Sequence, residues 1–210
     1  MNITIIGASA GVGLETVKRA LDRNHRVTTL SRSDINLPEN SNLTTLKGSA
    51  TNKNDLKKSI EIADAVIVAI GTGKSMKPTT LYSDFAKLLV EVQQETDAQI
   101  PFIVLTGFGA GESGQYNGFI MKLFFRFLLK DVYADKTTME EIITSSKMKW
   151  EIVRPGLLKD KPITENYRIE STLYKGINIG SINRSDVAGF LVKQAENPTE
   201  LYKYVSLSNK

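Results

Sequence analysis

The chain has 210 residues, 41% of them apolar and 24% charged, a length and balance that fit one domain with a well-filled core and exclude disordered, collagen-like and low-complexity classes. Lys and Arg number 27 against 23 Asp and Glu; the resulting +4 is spread without a basic half or tail, so nucleic acid is not an expected partner. The absence of cysteine removes disulfides, thiolate metal sites and thiol catalysis, and the single histidine, His25, leaves no His-pair metal site and argues against a Ser-His-Asp triad.

Residues 1–5 lack the basic and apolar regions of a signal peptide. Residues 3–6 predict a buried strand ended by Gly7, and residues 11–23 a helix with Leu14, Val17, Ala20 and Leu21 on one face. Strands follow over 26–30 and 43–47, then a short helix over 55–60 capped by Asn54. Residues 65–70 form the most strand-like run, ended by Gly71. A helix over 80–95 turns Leu81, Phe85, Leu88, Leu89 and Val92 to the core, and residues 101–105 predict a fifth strand. The apolar stretch 119–129 contains Lys122 and Arg126 and falls well short of the ~20 residues of a membrane span. It reads as a buried helix, with a subunit interface, a wall over the site or membrane-surface contact as alternatives. Residues 150–153 form a sixth strand stopped by Arg154-Pro155, and 167–169 and 177–179 are short, hairpin-like segments. A helix over 185–195 and a strand over 202–207 close the chain.

Strand and helix alternating in this way predict an α/β fold: a single domain over 1–210 with a doubly wound parallel sheet covered on both faces. In such sheets ligands sit outside the carboxyl ends of the strands. The first of these loops is Gly7-Ala8-Ser9-Ala10-Gly11-Val12-Gly13, between a strand and a helix. There Gly7 permits a tight turn, the amides of Ser9, Ala10, Gly11 and Val12 can approach a pyrophosphate, and Gly13 allows close packing of helix on strand. The spacing is G-x-x-x-G-x-G, and its context points to a Rossmann-like dinucleotide site. The second strand ends in Leu30-Ser31-Arg32-Ser33, with no acid at its tip to receive ribose hydroxyls. Arg32 offers a planar fork for a 2′-phosphate and Ser31 a hydroxyl, so NADP(H) is the expected cofactor and NAD(H) the alternative. Asp34, two residues on, is the counter-sign.

Together with Trp150-Glu151-Ile152-Val153-Arg154-Pro155-Gly156, this loop resembles the short-chain dehydrogenase/reductase superfamily, in its atypical branch of NAD(P)H-binding proteins related to NmrA and to biliverdin-IXβ/flavin reductase. Gly71-Thr72 with Pro78-Thr79-Thr80, the run 106–113, Asp135-Lys136 and the run 182–188 extend the resemblance over nearly the whole chain. The resemblance implies that Gly71, Thr72, Gly73, Pro155, Gly156 and Leu157 flank the cofactor. Thr106 would face the nicotinamide end, and Lys136 would bond the ribose hydroxyls. Thr106 and Lys136 are accordingly the expected catalytic residues, and no metal is expected. A small substrate-side region is expected over about 107–130 and 157–182.

Two departures stand out. The superfamily pairs Ser with Tyr-x-x-x-Lys, whereas Tyr133 precedes Lys136 by three residues and Gly107 stands where the serine would be. One missing residue is about 100° of helix rotation, which predicts that the Tyr133 phenol points away from the substrate. His25 is expected at a helix end, far from the site. The expected function is hydride transfer from NADPH to a small conjugated acceptor such as a flavin, quinone or tetrapyrrole; the alternative is a non-catalytic NADP-binding sensor of NmrA type. The expected protein is cytoplasmic, without a membrane span, and a monomer or weak homo-oligomer.

Overall fold

In the computed structural model, which describes residues 1–73, 75–116, 118, 123, 127 and 129–210, β1 (Asn2–Ile6) lies at the centre of a twisted sheet. Its neighbours are β2 (Arg26–Ser31) and β4 (Ala65–Val68); β3 (Leu43–Lys47) lies outside β2, and β5 (Pro101–Leu105) and β6 (Lys149–Pro155) extend the sheet past β4. All these pairs are parallel, in the order 3-2-1-4-5-6 of doubly wound dinucleotide folds. Two further strands complete the sheet. The last one, β10 (Tyr204–Asn209), runs parallel to β6 and takes the antiparallel β8 (Tyr167–Glu170) on its outer side.

Alternation along the strands divides the core. Ile3, Ile5 and Ile67 point to the face covered by α1 (Gly11–Asp22) and α5 (Arg184–Glu196). Ile6, Val66 and Val68 point to the face covered by α2 (Lys53–Ile60), α3 (Leu81–Thr96) and α4 (Lys130–Thr144). Strands buried on both sides read as near-continuous apolar runs, the pattern of β4 and β5. The one polar residue inside β1, Thr4, is satisfied by donating to the Ser59 carbonyl at 2.6 Å.

Several boundaries differ from the sequence expectation. The cap of α2 is Asn52, whose side chain accepts from the Asn54 and Asp55 amides, so the helix starts earlier than an Asn54 cap predicts. β6 runs through Arg154 and Pro155 instead of stopping before them. Arg154 is only 1% exposed because Glu140 and Glu112 neutralise it, and Pro155 sits at the strand end, where its carbonyl still accepts from the Phe108 amide. Residues 177–179 form no strand. A short two-stranded sheet joins β7 (Leu157–Lys159) to β9 (Ser181–Asn183), while β8 crosses to β10. The apolar stretch 119–129 lies outside the described residues apart from Leu123, Phe127 and Leu129; of these, Leu123 and Phe127 are exposed. Among the described residues, no helix is long and apolar enough to cross a membrane.

Candidate functional site

Strand order reverses between β1 and β4, and a cleft of about 590 Å³ opens at their carboxyl ends. Its floor is the glycine loop. Gly7 has φ +87°, and a β-carbon there would stand 2.6 Å from the Ala69 carbonyl oxygen, so only glycine lets β1 turn beside β4. A β-carbon on Gly13 would stand 2.1 Å from the Gly7 carbonyl oxygen, which explains how α1 can lie directly on the loop. Ser9, Ala10, Gly11 and Val12 line the cleft. Ala10 occupies the N-cap of α1 without a side-chain hydrogen bond, and the first turn carries no acid. The positive end of α1 therefore faces the cleft uncompensated.

At one end the cleft is bordered by Leu30, Ser31, Arg32 and Ser33 after β2 and by Gly48 to Thr51 after β3. The buried Ser31 hydroxyl donates to the Ser33 carbonyl at 2.7 Å, closing a tight turn from which the exposed Arg32 projects. Asp34 does not line the cleft; Lys47 on β3 pairs with it at 3.0 Å. Gly71, Thr72 and Gly73 form the middle wall.

The other end is built by Tyr82, Leu105, Thr106, Leu129, Val132, Tyr133, Lys136 and Leu158. Lys136 lies between two aromatic rings, its ammonium 5.3 Å from the Tyr82 centroid and 5.1 Å from that of Tyr133, and donates to the Thr106 carbonyl at 2.8 Å. Burial lowers its pKa to about 8, opposed by the attraction of Glu140. The Thr106 hydroxyl donates to Glu140 at 2.7 Å, and Glu140 is held in turn by two bonds from Arg154. Burial opposes the Arg154 charge, but its bonds to Glu140 and Glu112 more than offset this and raise its pKa. Asp135 lies beside this network and accepts from the amides of Tyr82 and Ser83, capping α3 from α4.

Tyr133 departs from the rotation argument. Its phenol faces the cleft, at the tip of β5, where a β-carbon on Gly107 would come within 2.8 Å of the phenol oxygen. The space of the missing serine side chain is thus occupied by the displaced tyrosine. Burial, and then the proximity of Tyr82 and Glu140, push the Tyr133 phenol up to about 12. Pro155, Gly156 and Leu157 do not line the cleft. The amides of Gly156 and Leu157 are drawn to the carbonyls of Leu207 and Gly180, and alternation along β7 turns Leu158 inward while Leu157 is exposed. His25 lies before β2, at the far end of the sheet, 2.6 Å from Glu196 in the last turn of α5.

A profile of the family described as NAD(P)H-binding matches residues 7–198. The chain belongs to the NAD(P)H-binding family. Solved structures share the fold of this NAD(P)H-binding chain end to end. A candidate NADH-flavin reductase from Streptococcus pneumoniae is 23% identical, with a TM-score of 0.80 and full coverage of both chains. ChuY, an anaerobilin reductase from Escherichia coli O157:H7, is 18% identical, with a TM-score of 0.78 over 100% of this chain and 97% of its own. A short-chain dehydrogenase/reductase from Veillonella parvula, in complex with NADP, is 16% identical, with a TM-score of 0.81 over 99% of this chain and 94% of its own. The uncapped, acid-free start of α1 and the tight glycine turn fit the dinucleotide that this family binds. Sequence reasoning missed Tyr82, Leu158, Arg184 and the loop after β3 as wall residues. Only Arg184 carried a readable signal, a cation at a helix start on the carboxyl side of the sheet.

Proposed function

We propose that this NAD(P)H-binding chain is a reductase that prefers NADPH and passes hydride to a small planar conjugated acceptor of the flavin, quinone or tetrapyrrole kind. In this reading Arg32 and the Ser31 turn receive the 2′-phosphate, the amides of residues 9–12 receive the diphosphate, and Gly71 to Gly73 flank the nicotinamide riboside. Lys136 bonds the ribose beside Thr106. A bound NADPH would supply the hydride; the protein supplies position.

One observation supports the choice of acceptor: among the described residues, the two hydroxyls at the inner end of the cleft, Thr106 and Tyr133, are poor proton donors. The Thr106 hydroxyl is engaged by Glu140 and the Tyr133 phenol keeps its proton up to about pH 12; Lys136, with its pKa lowered to about 8, holds its ammonium on the Thr106 carbonyl and in this reading serves the ribose. A simple ketone needs a proton as hydride arrives. A conjugated acceptor spreads the charge and takes its proton from water. The flat rings of Tyr82 and Tyr133 suit such an acceptor. Two of the structural neighbours carry reductase names of this kind.

Steady-state NADPH oxidation against flavins, quinones and biliverdin, with simple ketones as controls, tests the proposal. Turnover is expected with the conjugated panel and not with ketones. Tight NADPH binding without turnover across the whole panel would refute it in favour of an NmrA-type sensor, which the poor proton donors Thr106 and Tyr133 also suit.

A further inference from the structure

Arg184 is the first residue of α5, and its side chain lines the cleft beside the start of α1. A β-carbon built on Gly11 would have Arg184 Nε as its nearest neighbour, 3.9 Å away. Gly11 opens the helix whose uncapped amides face the cleft, so guanidinium and helix end converge on one spot. Nη1 of Arg184 donates to Asp160 Oδ1 at 2.7 Å, the one ion pair this side chain makes among the described residues. Asp160 itself is largely exposed, so the pair is screened by water and adds little stability. Its geometric effect is larger. It holds one arm of the fork and leaves Nε beside the glycine loop.

An arginine fork beside free helix amides is matched to a dianionic bridge carrying several acceptor oxygens, and poorly to a neutral ring. We propose that Arg184 binds the diphosphate of the cofactor from beside the start of α1, together with the amides of the glycine loop, with Asp160 as its tether. The inference rests on the reading of this cleft as the dinucleotide site. It is independent of the acceptor and of whether turnover occurs.

Because NADPH and NADH share the diphosphate and differ only at the 2′-phosphate, titration of both separates the two arginines. Arg184→Ala is expected to weaken NADPH and NADH by the same factor, roughly tenfold or more, with Arg184→Lys recovering part of the loss. Arg32→Ala is expected to weaken NADPH alone. The thermal midpoint of the cofactor-free Arg184→Ala protein should stay within about 2 °C of the wild type, as expected for a partly exposed side chain in a screened pair. Unchanged affinity in Arg184→Ala, a loss confined to NADPH, or a loss accompanied by a large fall in that midpoint would each overturn the proposal. So would a wild-type protein that binds neither cofactor. If the acceptor panel shows no turnover while the equal loss for both cofactors is found, the reductase reading fails and this one stands.

Discussion

The contact between Gly107 and Tyr133 can be tested quantitatively. Replacing Gly107 by Ser introduces a β-carbon 2.8 Å from the Tyr133 phenol oxygen, several tenths of an ångström inside ordinary contact distance. The phenol is walled in by Lys136 and the tip of β5, so overpacking here should cost about 1–3 kcal/mol. Gly107 also has φ +159°, a conformation unfavourable for a side chain, which adds about 1–3 kcal/mol of backbone strain. A double-mutant cycle with Tyr133→Ala separates the two. The alanine relieves the side-chain clash and leaves the backbone cost, so the coupling energy should be about 1–3 kcal/mol, read from urea midpoints at constant m. Coupling below about 0.5 kcal/mol would show that the two residues are independent. The statement that the tyrosine fills the serine's place would then be wrong.

Lys136→Met should weaken NADPH binding and remove a pH limb. In the wild type the ammonium is lost as pH rises through about 8, so affinity for the anionic cofactor should fall across that range, and the variant should be flat there. Isothermal titration between pH 6.5 and 9.5 checks this. Tyr133→Phe should retain turnover within several-fold, since a phenol pushed up to about 12 is a poor proton source; a loss of a hundredfold or more in kcat with unchanged affinity would restore a carbonyl reductase. Glu151 is fully buried in β6, with no hydrogen-bond partner for either carboxyl oxygen among the described residues, and burial pushes its pKa up to about 8, with Glu200 adding to the shift. A carboxyl raised on folding stabilises most below its unfolded pKa, so wild-type stability should fall from about pH 4.5 to 8, by at most a few kcal/mol, and Glu151→Gln should remove that slope. Urea melts across the range decide it, and parallel curves for the two proteins would contradict it.

The glycine loop was legible because its spacing and its place between strand and helix encode a local geometry, and the structure sets Gly7 and Gly13 where that geometry requires them. The extent of β6 was not. An arginine and a proline look like a stop until Glu140, on a helix fourteen residues away, and Glu112, forty-two residues away, bury and neutralise the arginine. Of the two short segments, 167–169 is a strand, but its hairpin pairing with 177–179 is not found, because the partners of β7 and β8 are distant in sequence and short strands carry no periodicity that names a partner. Tyr133 was misplaced for another reason. Helix rotation predicts direction from an ideal start, whereas the position of the phenol also depends on the room that Gly107 leaves.

These particulars point to a cleft held rigid from beneath. Glu140 accepts from Thr106 at the end of β5 and from Arg154 at the end of β6, while Arg154 reaches the loop after β5 through Glu112 and lies 4.1 Å from the Tyr204 ring centroid on β10. A buried pair of this kind adds little net stability against an apolar replacement, yet removing one partner typically costs about 3–5 kcal/mol. Its effect is therefore geometric: three strand ends and α4 cannot shift independently. Asp135 extends the constraint to α3, whose first amides it caps, and Tyr82 carries it on to Thr72 by hydrogen bonds. The cation of Lys136 is thereby fixed to a backbone carbonyl between two rings that are themselves fixed. For the proposed hydride transfer the rate depends on position, and position is what this arrangement supplies.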